Sequence, residues 1–283
     1  AFDYFIGDHV SCPAGSERFF DEHLIRLPHS YQATDNTREI SDRQFTRKDC
    51  GLPNDGFVFC SFNNSYKITP AEFDIWMRLL AQVDGSVLWL LETSEASKEN
   101  LRRAAQERGQ DPDRLIFAPR LPQDEHLARQ RVADLFLDTF VVNAHTTGSD
   151  ALWAGLPVLT LPGRQFAARV GASLVSAIGL PELIVKSTAE YEERALELAQ
   201  GPDALAVLRS RLQRNRKTTP LFDTTGFTRN LERAYDMAHA RYLQGLPPVH
   251  LDITEGSAKD TQLPDPAFVS TVTTQTQIPS RAM

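Results

Sequence analysis

Ten residues, Val141-Val142-Asn143-Ala144-His145-Thr146-Thr147-Gly148-Ser149-Asp150, combine more chemistry than any other stretch of the chain. An apolar run at 133–137 precedes them and helical spacing follows, so a polar loop of small residues opens a helix. A helix start exposes unpaired N–H groups and carries partial positive charge. His145, Thr146 and Thr147 stand at that start, and the two threonines add hydroxyl donors, a setting suited to a phosphate or diphosphate. Asp150, one turn in, is placed to accept hydrogen bonds from a ribose. Ordinary N-capping by Thr146 or Thr147, with Asp150 favourable in the first turn, accounts for the same residues equally well.

Two further segments follow apolar runs and lead into helices. Cys60-Ser61-Phe62-Asn63-Asn64-Ser65-Tyr66-Lys67 is rich in turn formers and ends on a lysine within reach of an anion. A lone lysine is more often simply solvated. In Arg120-Leu121-Pro122-Gln123-Asp124-Glu125-His126-Leu127-Ala128-Arg129, His126 and Arg129 lie three apart on one helical face. They can present a ring and a guanidinium fork to a base, although an exposed charged helix has the same pattern. Asp111-Pro112-Asp113 has an Asp-x-Asp spacing, but it follows a helix and precedes a strand, which makes it turn and capping chemistry. His9, His23 and His29 show no ligand spacing, and no metal site is expected.

The elements that must position these loops alternate. Strands are expected at 57–62, 86–91, 115–118, 133–137, 158–161 and 184–185, and helices at 70–83, 94–108, 122–131, 147–154 and 166–178. Further helices at 188–200, 203–217 and 225–243 close the chain. Alternation of this kind implies a doubly wound parallel sheet, Rossmann-like, with ligands beyond the carboxyl ends of its strands. Before it, 2–6 reads as a strand and 16–27 as a helix, on the spacing of Phe19, Phe20, His23, Leu24 and Leu27. The expected division is a transitional segment and connector at 1–50, the ligand-binding lobe at 51–250 and a disordered tail at 251–283. The opening AFDYFIGD looks like a strand already under way, with no preceding Met. The chain is therefore expected to start inside a domain.

Net charge is −7, from 30 basic and 37 acidic residues, with no long Lys/Arg block, which argues against nucleic acid or an anionic membrane as the main partner. No apolar run approaches the ~20 residues of a membrane span. Three cysteines, Cys12, Cys50 and Cys60, form no framework and suit a reducing, cytoplasmic setting.

Taken in order, the segments resemble the protein O-GlcNAc transferases. The resemblance is carried by Phe62 to Lys67, Val87-Leu88-Trp89-Leu90-Leu91, Pro122 to Arg129, and above all His145-Thr146-Thr147-Gly148 followed by Asp150-Ala151-Leu152-Trp153-Ala154-Gly155. It extends through Pro157 to Gly163, Arg169 to Ser173, Glu182-Leu183-Ile184 and Pro220-Leu221-Phe222, covering about residues 51–250 with a looser match at 1–30.

The resemblance implies the C-terminal lobe of a GT-B glycosyltransferase that transfers GlcNAc from UDP-GlcNAc to Ser/Thr hydroxyls of proteins, with inversion and without a metal or other cofactor. Carried over, Lys67 binds the diphosphate and stabilises the leaving group as the catalytic residue. His145, Thr146 and Thr147 line the phosphate site, Asp150 holds the ribose, and His126 packs on the uracil beside Arg129 and the Leu121 backbone. Gln123 stands where the family often has Lys, and Asn64 where it has Gln; both keep polarity. The implied partners are the UDP-sugar, a protein or peptide acceptor, and an N-terminal TPR and catalytic portion without which the chain is expected to be inactive. Phe227, Leu231 and Tyr235 are expected to be buried against that first lobe. Another GT-B enzyme, a UDP-sugar epimerase or a non-catalytic nucleotide-sugar-binding module fits the same fold.

Overall fold

The computed structural model describes residues 2–255. The chain opens with a strand, β1 (Tyr4–Asp8), a 3-10 turn at Glu17–Phe19 and a second strand, β2 (His23–Leu27). The helix expected over 16–27 is therefore wrong. The His23–Leu27 backbone pairs in parallel with β1, from Tyr4↔His23 to Asp8↔Leu27, and Leu24, Ile25 and Leu27 are buried. Phe19, counted on the helical face, is 69% exposed. Neighbouring strands supplied the hydrogen bonds that a 3.6-residue periodicity could not foresee.

From residue 58 the order is β3 (Val58–Ser61), α1 (Pro70–Gln82), β4 (Val87–Leu91), α2 (Glu95–Glu107), β5 (Leu115–Ala118), α3 (Gln123–Arg129), β6 (Leu135–Leu137), α4 (Thr146–Ala154), β7 (Val158–Leu159) and α5 (Val170–Ala177). Helices α6 (Thr188–Gln200), α7 (Pro202–Asn215) and α8 (Thr224–Leu243) follow, then a short strand, β8 (Leu251–Asp252). Local chemistry explains the boundaries. Pro70 occupies the first turn of α1, and Thr69 and Glu72 close a reciprocal capping box, with Thr69 N donating to Glu72 Oε1 at 2.8 Å. Helix α4 stops where Gly155 takes φ 93°, a left-handed conformation that glycine adopts without a Cβ penalty. At 184–185 the chain makes only an isolated bridge, Thr160↔Ile184, in place of the expected strand.

The larger sheet has order β5-β4-β3-β6-β7, all parallel. Its strands are almost wholly apolar because both faces are covered. Phe59, Phe62, Trp76, Trp89, Phe136 and Tyr191 are each no more than 1% exposed in one continuous core. Each such side chain contributes roughly 1.5–3 kcal/mol by leaving water. This is the doubly wound, Rossmann-like lobe expected from the alternation.

The smaller sheet has order β1-β2-β8. Residues 251–252, expected to open a disordered tail, are instead a strand: Leu251 pairs with Ile25 and Asp252 with Arg26. Leu251 and Ile253 are buried there with Ile25, Leu27 and Ala234. Two pairings gave too short an apolar signal to read as a strand. The rest of the expected tail, 256–283, lies outside the described residues. Phe227 and Ala238 of α8 pack on this cluster, whereas Tyr235 is 56% exposed on the helix's outer face.

Asp8 joins the two sheets. Its Oδ2 accepts from Tyr31 N at 2.9 Å and from the Ser173 hydroxyl of α5 at 2.7 Å, and Arg169 Nε donates to Val10 O at 2.7 Å.

Candidate functional site

The strand order places the site. The chain runs outward from β3 through β4 to β5, then returns to the other side of β3 with β6 and β7. Connections leaving β3 and β6 therefore diverge at their carboxyl ends, which opens a crevice at this reversal. Phe59↔Leu135 and Cys60↔Phe136 bring the two strands together, so the loops at 62–67 and 138–145 face each other there.

Those loops are cross-linked. Lys67 ends a 3-10 turn, half-buried, and its Nζ donates to Asn143 O at 2.8 Å. Burial holds its pKa below that of a free lysine, and the Asp138 carboxylate opposes that shift. Asn63 is buried; its Oδ1 accepts from the Thr147 hydroxyl at 2.6 Å and its Nδ2 donates to Thr139 Oγ1 at 3.0 Å. Lys67 and the start of α4 thus belong to one hydrogen-bonded unit, although 76 residues separate Lys67 from Asn143.

At that helix start His145 is the N-cap residue and no side chain caps the helix. Its ring Nε2 lies 3.2 Å from Ala167 O. Among the described residues, the N–H groups of Thr146, Thr147 and Gly148 have no acceptor, so the first turn keeps its donors for a ligand. Thr146 is exposed; the Thr147 hydroxyl is already committed to Asn63. Capping by the threonines, the bland alternative, is not what these side chains do.

A buried acid holds the loop in shape. Asp138, directly after β6, is fully buried. Its Oδ1 accepts from Thr139 N at 2.8 Å and from Ala144 N at 2.6 Å, and its Oδ2 accepts from the Thr160 hydroxyl at 2.7 Å. One carboxylate thereby ties both ends of the 139–144 loop. Burial raises its pKa to about 7, with these hydrogen bonds and Lys67 opposing. Asn143 adds a second tie, donating from Nδ2 to Thr139 O at 2.6 Å and accepting from Gly171 N at 3.2 Å.

On the other side of β3, Phe62 packs edge-on against the His126 ring, 5.1 Å between centroids, and against Trp89 at 5.0 Å. Arg129 is 2% exposed. It donates from Nη1 to Pro119 O at 2.6 Å and from Nε to His126 Nδ1 at 3.0 Å. The guanidinium therefore stands behind the imidazole and orients it. Burial first, then the charge of Arg129, pushes His126 down to about 4, so the ring is neutral near pH 7. Leu121 is half-buried, and Gln123, exposed, begins α3. Asn64 is the residue before the 3-10 turn that carries Lys67, and its side chain makes no capping bond.

Asp150 is half-buried on α4 and ion-paired with Arg38, which comes from the connector at 30–50. Asp111 Oδ1 accepts from Asp113 N at 2.9 Å in the turn before β5, at the amino ends of the strands and away from the crevice. Among the described residues no group of three or more His, Cys, Asp or Glu side chains is assembled to hold a metal ion, and no helix is long and apolar enough to cross a membrane.

Asp138, Thr139 and Arg38 lie outside the segments singled out in the sequence, and Asn63, Asn143 and Thr160, inside them, were given no role. A buried strand running straight into an acid, Leu135-Phe136-Leu137-Asp138, was a usable signal for Asp138. Arg38 had none.

Residues 40–231 match glycosyl transferase family 41. The chain is 39% identical over 89% of its length to an Arabidopsis thaliana protein named "Probable UDP-N-acetylglucosamine--peptide N-acetylglucosaminyltransferase SEC", of which it covers 26%. It is 39% identical over 71% of its length to the UDP-N-acetylglucosamine--peptide N-acetylglucosaminyltransferase of Caenorhabditis elegans, of which it covers 17%. A solved structure of a mutant O-GlcNAc transferase from Thermobaculum terrenum superposes with TM-score 0.75 at 32% identity, covering 83% of this chain and 45% of that one. The chain thus spans about a quarter or less of the length of these curated relatives.

Proposed function

Since the chain belongs to glycosyl transferase family 41, we propose that it is the donor-binding lobe of a protein O-GlcNAc transferase and holds UDP-GlcNAc in the crevice at the β3–β6 reversal. One observation carries the reading: Lys67 and the open first turn of α4 are locked into a single unit by the Lys67–Asn143 and Thr147–Asn63 hydrogen bonds. A cation and a set of N–H donors at one opening suit a diphosphate better than any other common ligand.

In the proposed reaction a Ser or Thr hydroxyl of the acceptor attacks the anomeric carbon and forms the new C–O bond. The bond to the UDP oxygen breaks with inversion, and the electron pair stays on the diphosphate. The hydroxyl proton passes to a base outside this chain. Lys67 and the α4 donors stabilise the charge that develops on the leaving group, so no metal is required. His126 packs on the uracil with its orientation fixed by Arg129, Leu121 and Gln123 border that face, and Asp150 accepts from the ribose. Asn64, His145 and Thr146 complete the lining. The first catalytic lobe, TPR repeats and a protein acceptor are the partners this reading calls for. Three free cysteines, two of them buried, support a reducing, cytoplasmic location.

The experiment is to titrate UDP into the protein and its Lys67→Ala variant, and to assay GlcNAc transfer to a peptide with the N-terminal portion added. Removing one charge-assisted contact of about 1.5–3 kcal/mol should weaken UDP binding by roughly 10- to 150-fold and lower transfer at least as much. Unchanged affinity and transfer would remove Lys67 from the site. UDP binding without transfer in the complete protein would favour a nucleotide-sugar-binding module.

A further inference from the structure

We infer that Arg38, on the connector and outside every loop of the crevice, is a positioning residue that sets Asp150 for a ribose hydroxyl and so makes the site selective for ribonucleoside diphosphates. The inference rests on the reading of Asp150 as the ribose ligand and adds the device that orients it.

Asp150 is only partly engaged. Its Oδ1 accepts from Arg38 Nη1, while its Oδ2 has no partner among the described residues. The side chain as a whole is 15% exposed. Arg38 is fixed at several points. Its carbonyl accepts from Trp153 Nε1 at 3.2 Å, its guanidinium lies over the Trp153 ring 5.9 Å from the centroid, and its Nε donates to Asp35 O at 3.3 Å. Trp153 is in turn packed on Phe222, 4.9 Å between centroids. Asp150 and Trp153 are one turn apart on α4, so a single helical face grips the connector through both.

Two physical consequences follow. A planar guanidinium on one carboxylate oxygen restricts the carboxyl plane and leaves the lone pairs of the other oxygen available. An uncompensated carboxylate on the helix that offers its first turn to a diphosphate would also repel that ligand; pairing with Arg38 cancels the charge. Burial by itself pushes the Asp150 carboxyl up toward its neutral form, and Arg38 opposes that. The guanidinium thus favours the ionised form, against the effect of burial.

The test is calorimetric titration of UDP, 2′-deoxy-UDP and 3′-deoxy-UDP into the protein and its Arg38→Ala, Arg38→Lys and Asp150→Asn variants, with thermal midpoints alongside. The wild type should prefer UDP over at least one deoxy analogue by roughly tenfold, the worth of one charge-assisted hydrogen bond. Arg38→Ala should erase most of that preference by weakening UDP more than the deoxy analogue, which loses only the charge compensation because it never made the bond. Arg38→Lys should restore part of it, keeping the charge but not the fork. If Asp150→Asn keeps the full preference, the ribose reading itself is wrong. If Asp150→Asn loses it while Arg38→Ala keeps it, Asp150 stands and the role of Arg38 is refuted. Equal weakening of all three ligands by Arg38→Ala, or tighter UDP binding, would also overturn the inference, the first pointing to a merely structural contact and the second to a connector that obstructs the site.

Discussion

Replacing Asp138 by Asn should change how stability depends on pH, because this carboxyl titrates in the native protein near neutrality. Its pKa rises from 3.8 to about 7, chiefly through burial, while Thr160, the Ala144 and Thr139 N–H groups and the charge of Lys67 pull it back. Below about pH 4 both native and unfolded chains hold the proton, and its contribution to stability is complete. Between 3.8 and about 7 only the native state keeps it, so stability falls as pH rises, by up to about 1.4 kcal/mol per pH unit. Integrated from about pH 5 to about pH 7.5, the loss is on the order of 2–3 kcal/mol. In the Asp138→Asn variant the new side chain would accept from Thr139 N and Ala144 N through its oxygen and donate to Thr160 through its amide, so the loop keeps its ties but nothing titrates. Urea denaturation of both proteins at the two pH values reads the difference directly, since every other titrating group is common to both. The variant should gain on the wild type by about 2–3 kcal/mol on going from the lower to the higher pH. Parallel stabilities would show that Asp138 is ionised throughout and would refute the argument.

Gly171→Ala should destabilise the protein, because its Cβ would fall inside van der Waals contact of both Asp138 Oδ2 and Thr160 Oγ1. About 1–3 kcal/mol is expected, a drop of roughly 2–4 °C per kcal/mol in thermal midpoint, and an unchanged midpoint would count against it. His126 carries the opposite pH sign to Asp138: its native pKa of about 4 lies below 6.5, so the unfolded chain takes up the proton first and stability falls as pH drops through that interval. His126→Leu should flatten that acid limb in denaturation midpoints taken at about pH 4.5 and 6.5, and an unaltered slope would refute the assignment. Transfer to a peptide by the complete enzyme should be insensitive to EDTA; a loss restored by Mg²⁺ or Mn²⁺ would contradict the metal-free reading.

Much of this was legible in the chain. The alternation from β3 to α5 appeared with boundaries within one to three residues for nearly every element, because parallel strands buried on both faces and amphipathic helices between them leave strong local periodicities. Lys67, His126, His145 and Asp150 were singled out because ligand loops of such sheets must follow strands. The errors share a cause. His23–Leu27 is a strand only because it pairs with β1 and β8, and Leu251–Asp252 only because it pairs with β2, across 226 residues between Ile25 and Leu251.

The sequence by itself therefore determined the lobe, its family resemblance and the polar loops that leave its strands and open its helices, since each depends on neighbours within a dozen residues. Only the tertiary structure decided which groups in those loops are free. It committed the Thr147 hydroxyl to Asn63, placed Arg129 behind His126, put the Asp138 carboxylate across the base of the loop and brought Arg38 to Asp150 across 112 residues. Those pairings depend on which strands are adjacent and where the connector crosses α4. Burial then sets the protonation of Asp138 and His126, and burial exists only once the distant parts of the chain have closed over them.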